Sequence, residues 1–552
     1  MPAPPAVIGQ TSLTQRVQLV LEPTAGEQLL MPTTAGAATM SLTTQPNTLS
    51  PTTGMHLHFY IIGNATTGSI TVAGTAPVTG NAVNSITYHL PVAPQNNQGY
   101  TEFTTKEVFA TVNASGIVLT TLTPCQVIVY GSYAGKFLIP ITADAEEHIT
   151  HFAPVDKRGI LFSKLRVTQA TKGASIDKFD AALYPDSLWA AYMLIGNTPV
   201  ITTLPTVATT KLASTVIGAT MTITTPPAAP GEFLIFAITT NTALGTIVLN
   251  GLDNYGNPAT ETINFTAAAT QTVYSTKRYS SLTVPGSNQF TTTGGASAHI
   301  AVTGVYAWIY TWTYDGLTNP TPYSASLEVF NGVFGYMLPY SHFSDGTFDW
   351  QKEKEILFTG KGLAQDYCIV GDNTSTTGGV NPFAVLAQPT SIPVVSWPAS
   401  FYIDVGTGTP FTTQDGSIET FKLQLITGRK PFYSSDTLQR WSNVTWDSEP
   451  DFALDATHVL QNYANYVNYF KPNSPLILGV TFQGNMLGNI GGTTYYEQWQ
   501  WTLPAKVDTY KPDMTHNPVD GILKLMASYD FSNLGYGYKL AVTAQQPPTY
   551  TS

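Results

Sequence analysis

Histidines and carboxylates come first, because their types and spacings decide whether a chain can carry out a reaction. In "EEHITH", His148 and His151 stand at i and i+3 beside Glu146 and Glu147. On a helix that spacing would offer two imidazoles and two carboxylates to zinc. No third ligand cluster accompanies them, and a solvated linker helix accounts for the same text. His56 and His58 in "MHLHF" share one face of a strand. A second copy of this text carries Phe233 and Ile235 at the matching positions, which favours packing over chemistry. Asp253, Asn254, Asn257 and Glu261 around "DNYGNP" suggest a calcium loop, but their spacing departs from the EF-hand pattern and a turn explains them. "GDNTSTTGG" (371–379) lacks the lysine and the following helix of a phosphate-binding loop. Glu353 and Glu355 in "WQKEKEILF" alternate with Lys352 and Lys354, so each strand face carries a single sign, as at an exposed or intersubunit edge. No GxSxG, HExxH or GxGxxG text occurs. These residues call for no catalysis, cofactor or metal, and the expectation is a non-enzyme.

The elements that hold these residues are strands. In "GTIVLNGLDNYGNPATETINF" (245–265), Ile247, Leu249, Ile263 and Phe265 recur at every second position around a Gly/Asn turn, which predicts a hairpin. The text "GMHLHFYIIGNATTGSITVAG" (54–74) aligns without gaps to "GEFLIFAITTNTALGTIVLNG" (231–251), matching Gly54/Gly231, Leu57/Leu234, Phe59/Phe236, Asn64/Asn241, Gly68/Gly245, Ile70/Ile247 and Gly74/Gly251. Further on, "TTKEVFATV" (104–112) echoes "STKRYSSLTV" (275–284). Repeated glycines in one apolar phase predict a duplicated β-module. The expected order is an N-terminal arm or first strand (1–53), β-module 1 (54–143), a connector with a short helix and strands (144–230), β-module 2 (231–314) and a larger β domain (315–552). The arm's "RVQLVLEP" (16–23) could instead pair with a neighbour. In the last domain, "DSEPDFALDATHVLQNYANYVNYFKP" combines capping residues, Pro450 and apolar residues near i, i+3, i+4, predicting a helix near 449–470. "YEQWQWTL" alternates, placing Trp499 and Trp501 together on the core side.

Composition narrows the function classes. Charged residues make up only 11% of the 552, against about 25% in an ordinary soluble domain, and Tyr, Phe and Trp number 29, 25 and 9. A surface poor in charge and rich in aromatics suits repeated contact with other copies of itself. A net charge of −11 argues against a nucleic-acid clamp, but suits a wall past which DNA slides without sticking. Cys125 and Cys368 are the only cysteines; both sit in strand-like text and are expected to be buried in a reducing compartment. Neither a secretion signal nor an apolar membrane helix is apparent, so the chain is expected to be soluble when made and not exported by the general route.

Four passages carry a resemblance: "FDWQKEKEILFTGKGLAQDY" (348–367), "SIETFKLQLITGRKPFY" (417–433), the expected helix, and "WTLPAKVDTYKPDMTHNPVDGILKLMASYDFSNLGYGYKLAVT" (501–543). Their pattern and order resemble the tail tube (major tail) proteins of long-tailed bacteriophages. The text "GLDNYGNPATETI" with "STKRYSSL" resembles β-modules of virion proteins. The resemblance implies a mainly β fold, a multi-domain β-sandwich or barrel with one flanking helix. It also implies assembly as stacked rings around a lumen that conducts DNA, with other tail proteins as partners, the virion tail as location and no membrane partner. Glu353, Glu355, Asp404 and Glu419 are then candidate lumen or interface carboxylates. A capsid decoration or tail-fibre protein is the structural alternative. A carbohydrate-binding or carbohydrate-active β-sandwich, with Trp441, Trp446, Trp499 and Trp501 stacking on sugars, is the other.

Overall fold

The computed structural model describes residues 16–22, 28–46, 54–63, 67–76, 82–90, 100–122, 124–133, 137–139, 163–170, 173–228, 230–282, 288–295, 297–315, 320, 323–330, 335–351, 356–370, 399–405, 410–414, 416, 418–433, 441–446, 450–459, 475–490, 493–513, 520–527 and 534–548. They are nearly all β, arranged as several antiparallel sheets in a multi-domain sandwich-like fold with one helix.

Two sandwiches repeat one topology. In the first, Gln28–Ala35, Gln126–Tyr133, Met55–Ile62 and Tyr100–Thr104 lie side by side over Thr39–Met40, Thr111–Thr120, Gly68–Thr75 and Ala82–Leu90. In the second, Thr209–Val216, His299–Val305, Phe233–Thr239 and Thr270–Tyr274 lie over Thr220–Thr222, Gln289–Gly294, Gly245–Asp253 and Pro258–Phe265. Each has its own core, around Leu57, Phe59 and Ile70 in one and Leu234, Phe236 and Ile247 in the other. The expected hairpin is present, with Ile247 opposite Ile263. Each sandwich takes its first two strands from upstream of the point where sequence similarity becomes visible. The correspondence extends to single bonds. Thr105 Oγ1 accepts from Leu57 N, as Ser275 Oγ accepts from Leu234 N, and the isolated bridge Met55–Phe109 matches Glu232–Tyr279. The echo of 104–112 in 275–284 is therefore displaced by one residue, Thr105 answering to Ser275. The repeated glycines have a steric cause: a Cβ at Gly74 would collide with the Thr111 carbonyl, and one at Gly251 with the Ser281 carbonyl.

The remaining strands build the larger sheet system. Three long strands, Gly335–Gln351, Pro475–Ile490 and Thr493–Asp513, change partners along their length. Gly335–Gln351, for example, pairs first with Ser324–Phe330 and then with Leu357–Ala364 and Ile418–Ile426. Arg16–Glu22 pairs along its whole length with Ser324–Phe330 of the same chain. Trp499 and Trp501 face the core, as their alternation predicts.

The predicted helix near 449–470 is corrected over its described part. Asp451–Val459 is a strand, paired on one side with Ile418–Ile426 and on the other with Asp520–Ala527. Phe452, Leu454 and Ala456 are buried while Asp451, Ala453 and Asp455 are exposed. This period of two satisfies both neighbouring strands, which a helix could not, and it outweighs the capping text. Residues 460–470 lie outside the described residues. The single helix among the described residues is Leu188–Ile195, "LWAAYMLI", inside the connector where a short helix is expected; it is apolar on every side and buried throughout, a core element. Its carboxyl end is capped by buried Arg429, whose Nη1 donates to Met193 O (2.6 Å) and Nη2 to Leu194 O (3.2 Å). A cation there meets the unpaired carbonyls of the last turn.

Candidate functional site

Of the predicted carboxylates, Asp404 and Glu419 lie among the described residues. Glu353 and Glu355 lie outside the described residues, as do His148 and His151. Asp404 is only 3% exposed, and its carboxylate accepts from Thr412 N (3.2 Å), Thr413 N (2.8 Å) and the Thr412 hydroxyl. Burial works to raise its pKa, but these bonds hold it below the ordinary carboxylate range. Glu419 is exposed, next to an outer sheet face that carries Lys422, Asp455 and Lys524 in one cross-strand row. The carboxylate of Asp253 is taken up by the Tyr255 and Asn257 amides (2.8 Å each), which makes the DNYGNP loop an Asx turn. Among the described residues no group of three metal-binding side chains exists. Cys125 and Cys368 are both buried and unbridged. Trp499 and Trp501, with 0% exposure, cannot stack on a sugar, which removes them from the carbohydrate alternative. The side chains of Trp441 and Trp446 lie outside the described set.

What the structure does bring together are two seams between the sandwiches and the large sheet. On Met55–Ile62, Leu57, Phe59 and Ile61 enter the sandwich core, so His56, His58 and Tyr60 must face outward. They meet distant partners. His56 Nε2 donates to Glu328 Oε1 (2.9 Å) and Nδ1 to Thr105 O (2.7 Å); Cys368 Sγ lies 3.4 Å from His58 Nδ1, and the Tyr60 hydroxyl donates to Asp366. Both ring nitrogens of His56 face oxygen partners, an arrangement that favours the doubly protonated imidazolium. Burial opposes that charge, but the hydrogen bond to Glu328, the charge of Glu328 and the Thr105 carbonyl outweigh it and raise the pKa.

The second sandwich docks differently. The residues matching His56 and His58 are Phe233, which packs on Trp308 (4.9 Å between ring centres), and Ile235. Polar contact comes instead from Arg278, whose Nε donates to Gly231 O and Nη2 to Leu487 O (2.9 Å each). Beneath it, Lys211 and Glu232, each 1% exposed, form an ion pair at 2.5 Å. Lys211 Nζ also donates to Pro226 O (3.1 Å), and Glu232 Oε2 accepts from Ala228 N (2.8 Å). In the first sandwich the same three positions are Leu30, Met55 and Gly131 in place of Lys211, Glu232 and Gly304. These residues escape a reading of the sequence in isolation. Their one signal is a change of polarity between matched positions of the two copies.

No family model matches the chain, and no curated relative matches it. Among solved structures, the chain is similar to PBSX exported protein XepA at 9% identity and a TM-score of 0.13, over 53% of this chain and 87% of that one. It is also similar to the N-terminal CBM22-1-CBM22-2 tandem domain from Paenibacillus barcinonensis Xyn10C, at 8% identity and a TM-score of 0.14, over 52% and 93%. At such scores neither likeness carries an argument. Among the described residues no helix is long and apolar enough to cross a membrane.

Proposed function

We propose that this chain is a virion structural protein, a tail tube subunit of a long-tailed bacteriophage that assembles through its strand edges with copies of itself. The observation that carries the reading is an open rim. Val200–Leu204 pairs with Ala307–Tyr314 on one side only among the described residues, and Val200 is 68% exposed. Thr270–Tyr274 likewise pairs on one side, with Phe233–Thr239. Rows of backbone donors and acceptors left this way are templates for another strand, and a neighbouring copy that completes them gives directional growth. The shortage of charge and the sequence resemblance support the same reading. Glu419, on an exposed strand, is a candidate lumen or interface carboxylate in this reading, together with Glu353 and Glu355, which lie outside the described residues. The capsid decoration or tail-fibre alternative draws on the paired sandwiches alone.

Electron microscopy of the purified chain tests the proposal. Hollow tubes of uniform width are expected from the native chain, and Val200→Lys should abolish them by placing a charge on the rim. A chain that stays monomeric at high concentration, or tubes that form unchanged with the lysine, would refute it.

A further inference from the structure

A second surface adjoins one of the rims and shares Leu204 with it. Gln483, Gln498, Thr543 and Ile309 lie side by side across four neighbouring strands, in register, on the sheet face opposite the buried Trp499. Next to them the ladder is interrupted. Pro475–Ile490 carries register shifts between Gln483 and Met486 and again between Met486 and Gly488, so that Met486 faces Tyr496 and Gly488 faces Tyr495. Bulges of this kind re-aim side chains, and here both adjacent tyrosines line one depression although consecutive strand residues ordinarily point to opposite faces.

The depression has a volume of about 260 Å³ and is lined by Leu204, Ile309, Gln483, Thr494, Tyr495, Tyr496, Gln498 and Thr543. No lining residue is charged, in a chain whose net charge is −11. Gln483, Gln498, Tyr495 and Tyr496 are all half-exposed, and among the described residues their side chains make no hydrogen bond. Each amide therefore offers a free donor and a free acceptor within reach of a guest, and the phenols offer rings with hydroxyl tips. Leu204 and Ile309 supply an apolar floor.

We propose that this depression is a binding site for a neutral saccharide. A sugar ring presents hydroxyls that both donate and accept, around a C–H face that packs on aromatic and aliphatic carbon. Paired amides, threonines and tyrosines over an apolar floor complement both features. A charged ligand finds no counter-charge here, so anionic sugars and phosphates are disfavoured. The volume lies just under the usual range for small-molecule pockets, which fits one ring of an oligosaccharide with the chain continuing into solvent.

The test is an array of neutral and acidic oligosaccharides probed with the full chain, followed by calorimetry on the strongest binder. Native protein is expected to retain at least one neutral glycan. Tyr496→Ala and Gln498→Ala should each weaken binding about tenfold, as the loss of one stacking or hydrogen-bonding partner implies. In the native chain the same glycan should slow amide exchange in 481–490 and 493–500, a readout that holds even where a variant fails to fold. Absence of neutral-glycan binding, preference for acidic glycans, unchanged affinity in both variants, or protection confined to other segments would each overturn the assignment. None of these outcomes depends on whether the chain forms tubes.

Discussion

The two sandwiches contain their own control experiment on a buried ion pair. Lys211 and Glu232 occupy the space that Leu30 and Met55 fill in the first copy, against glycines at matching positions. Replacing Glu232 by Met alone would leave a lysine ammonium that is 1% exposed with only the Pro226 carbonyl beside it. Removing one partner of a buried pair costs about 3–5 kcal/mol. Lys211→Leu together with Glu232→Met installs the apolar pair that the same framework already accepts. The double change frees Pro226 O and Ala228 N, but both residues are exposed, so water can replace the lost partners. The double variant should therefore lie within about 1 kcal/mol of the native chain or exceed it, as apolar replacements of buried pairs commonly do. Because a multi-domain chain does not unfold in one step, the readout is the local opening free energy from amide exchange at Leu234, Phe236 and Ile300. A single variant as stable as the native chain, or a double variant as damaged as the single, would refute the equivalence.

Other expectations concern the seams and the turns. His56 has a raised pKa in the folded chain, so its contribution is present below the ordinary imidazole range and is lost as pH climbs through the folded value; amide protection in Met55–Ile62 should fall on that climb, and His56→Leu should flatten the dependence. Burial pushes Glu497 up to about 7, although Gln545 (2.8 Å) and Asn485 (2.9 Å) donate to it. Its contribution too is present at acid pH and lost on going to neutral pH, so Glu497→Gln should reduce the fall in melting temperature between about pH 5 and pH 8. Arg278→Met removes both bonds to Gly231 and Leu487; faster proteolysis between the second sandwich and the large sheet is expected, and an unchanged digestion pattern would count against the seam. Gly251→Ala drives a methyl into the Ser281 carbonyl and should cost about 1–3 kcal/mol, whereas Gly256→Ala, with open space but φ +82, should cost about 1 kcal/mol; equal melting temperatures would contradict the steric account.

Much of the fold was legible because strands announce themselves locally. Alternation located the hairpin of 245–265 and the inward tryptophans, and glycines that face a partner's carbonyl preserved the duplication in readable form. The opening strands of each sandwich were not legible, since Leu30 and Lys211 share a position but no chemistry. The helix expectation failed over 451–459 because Pro450 and the flanking acids match a helix start as well as a strand start, while the deciding partners lie in Ile418–Ile426 and Asp520–Ala527. Asp404 looks like any strand-borne acid until the Thr412–Thr413 turn folds over it. Arg278 reads as surface charge, its acceptor at Leu487 being 209 residues away.

The second sandwich is also threaded in a particular way. The chain enters it from Val200–Leu204 and leaves into Ala307–Tyr314, and these two strands pair with each other, Leu204 opposite Ala307, with Tyr306 N donating to Leu204 O (2.7 Å). Among the described residues its two sheets join no other, whereas the first sandwich is woven into the large sheet where Thr104 meets Val370. The second copy is thus a cassette on a ready-made hairpin stem. A short turn joining residue 205 to residue 306 should leave the rest of the chain folded once Trp308 and Leu487 are given polar replacements, as thermal melting of the trimmed chain would reveal, and the same stem is then a place to graft foreign cargo.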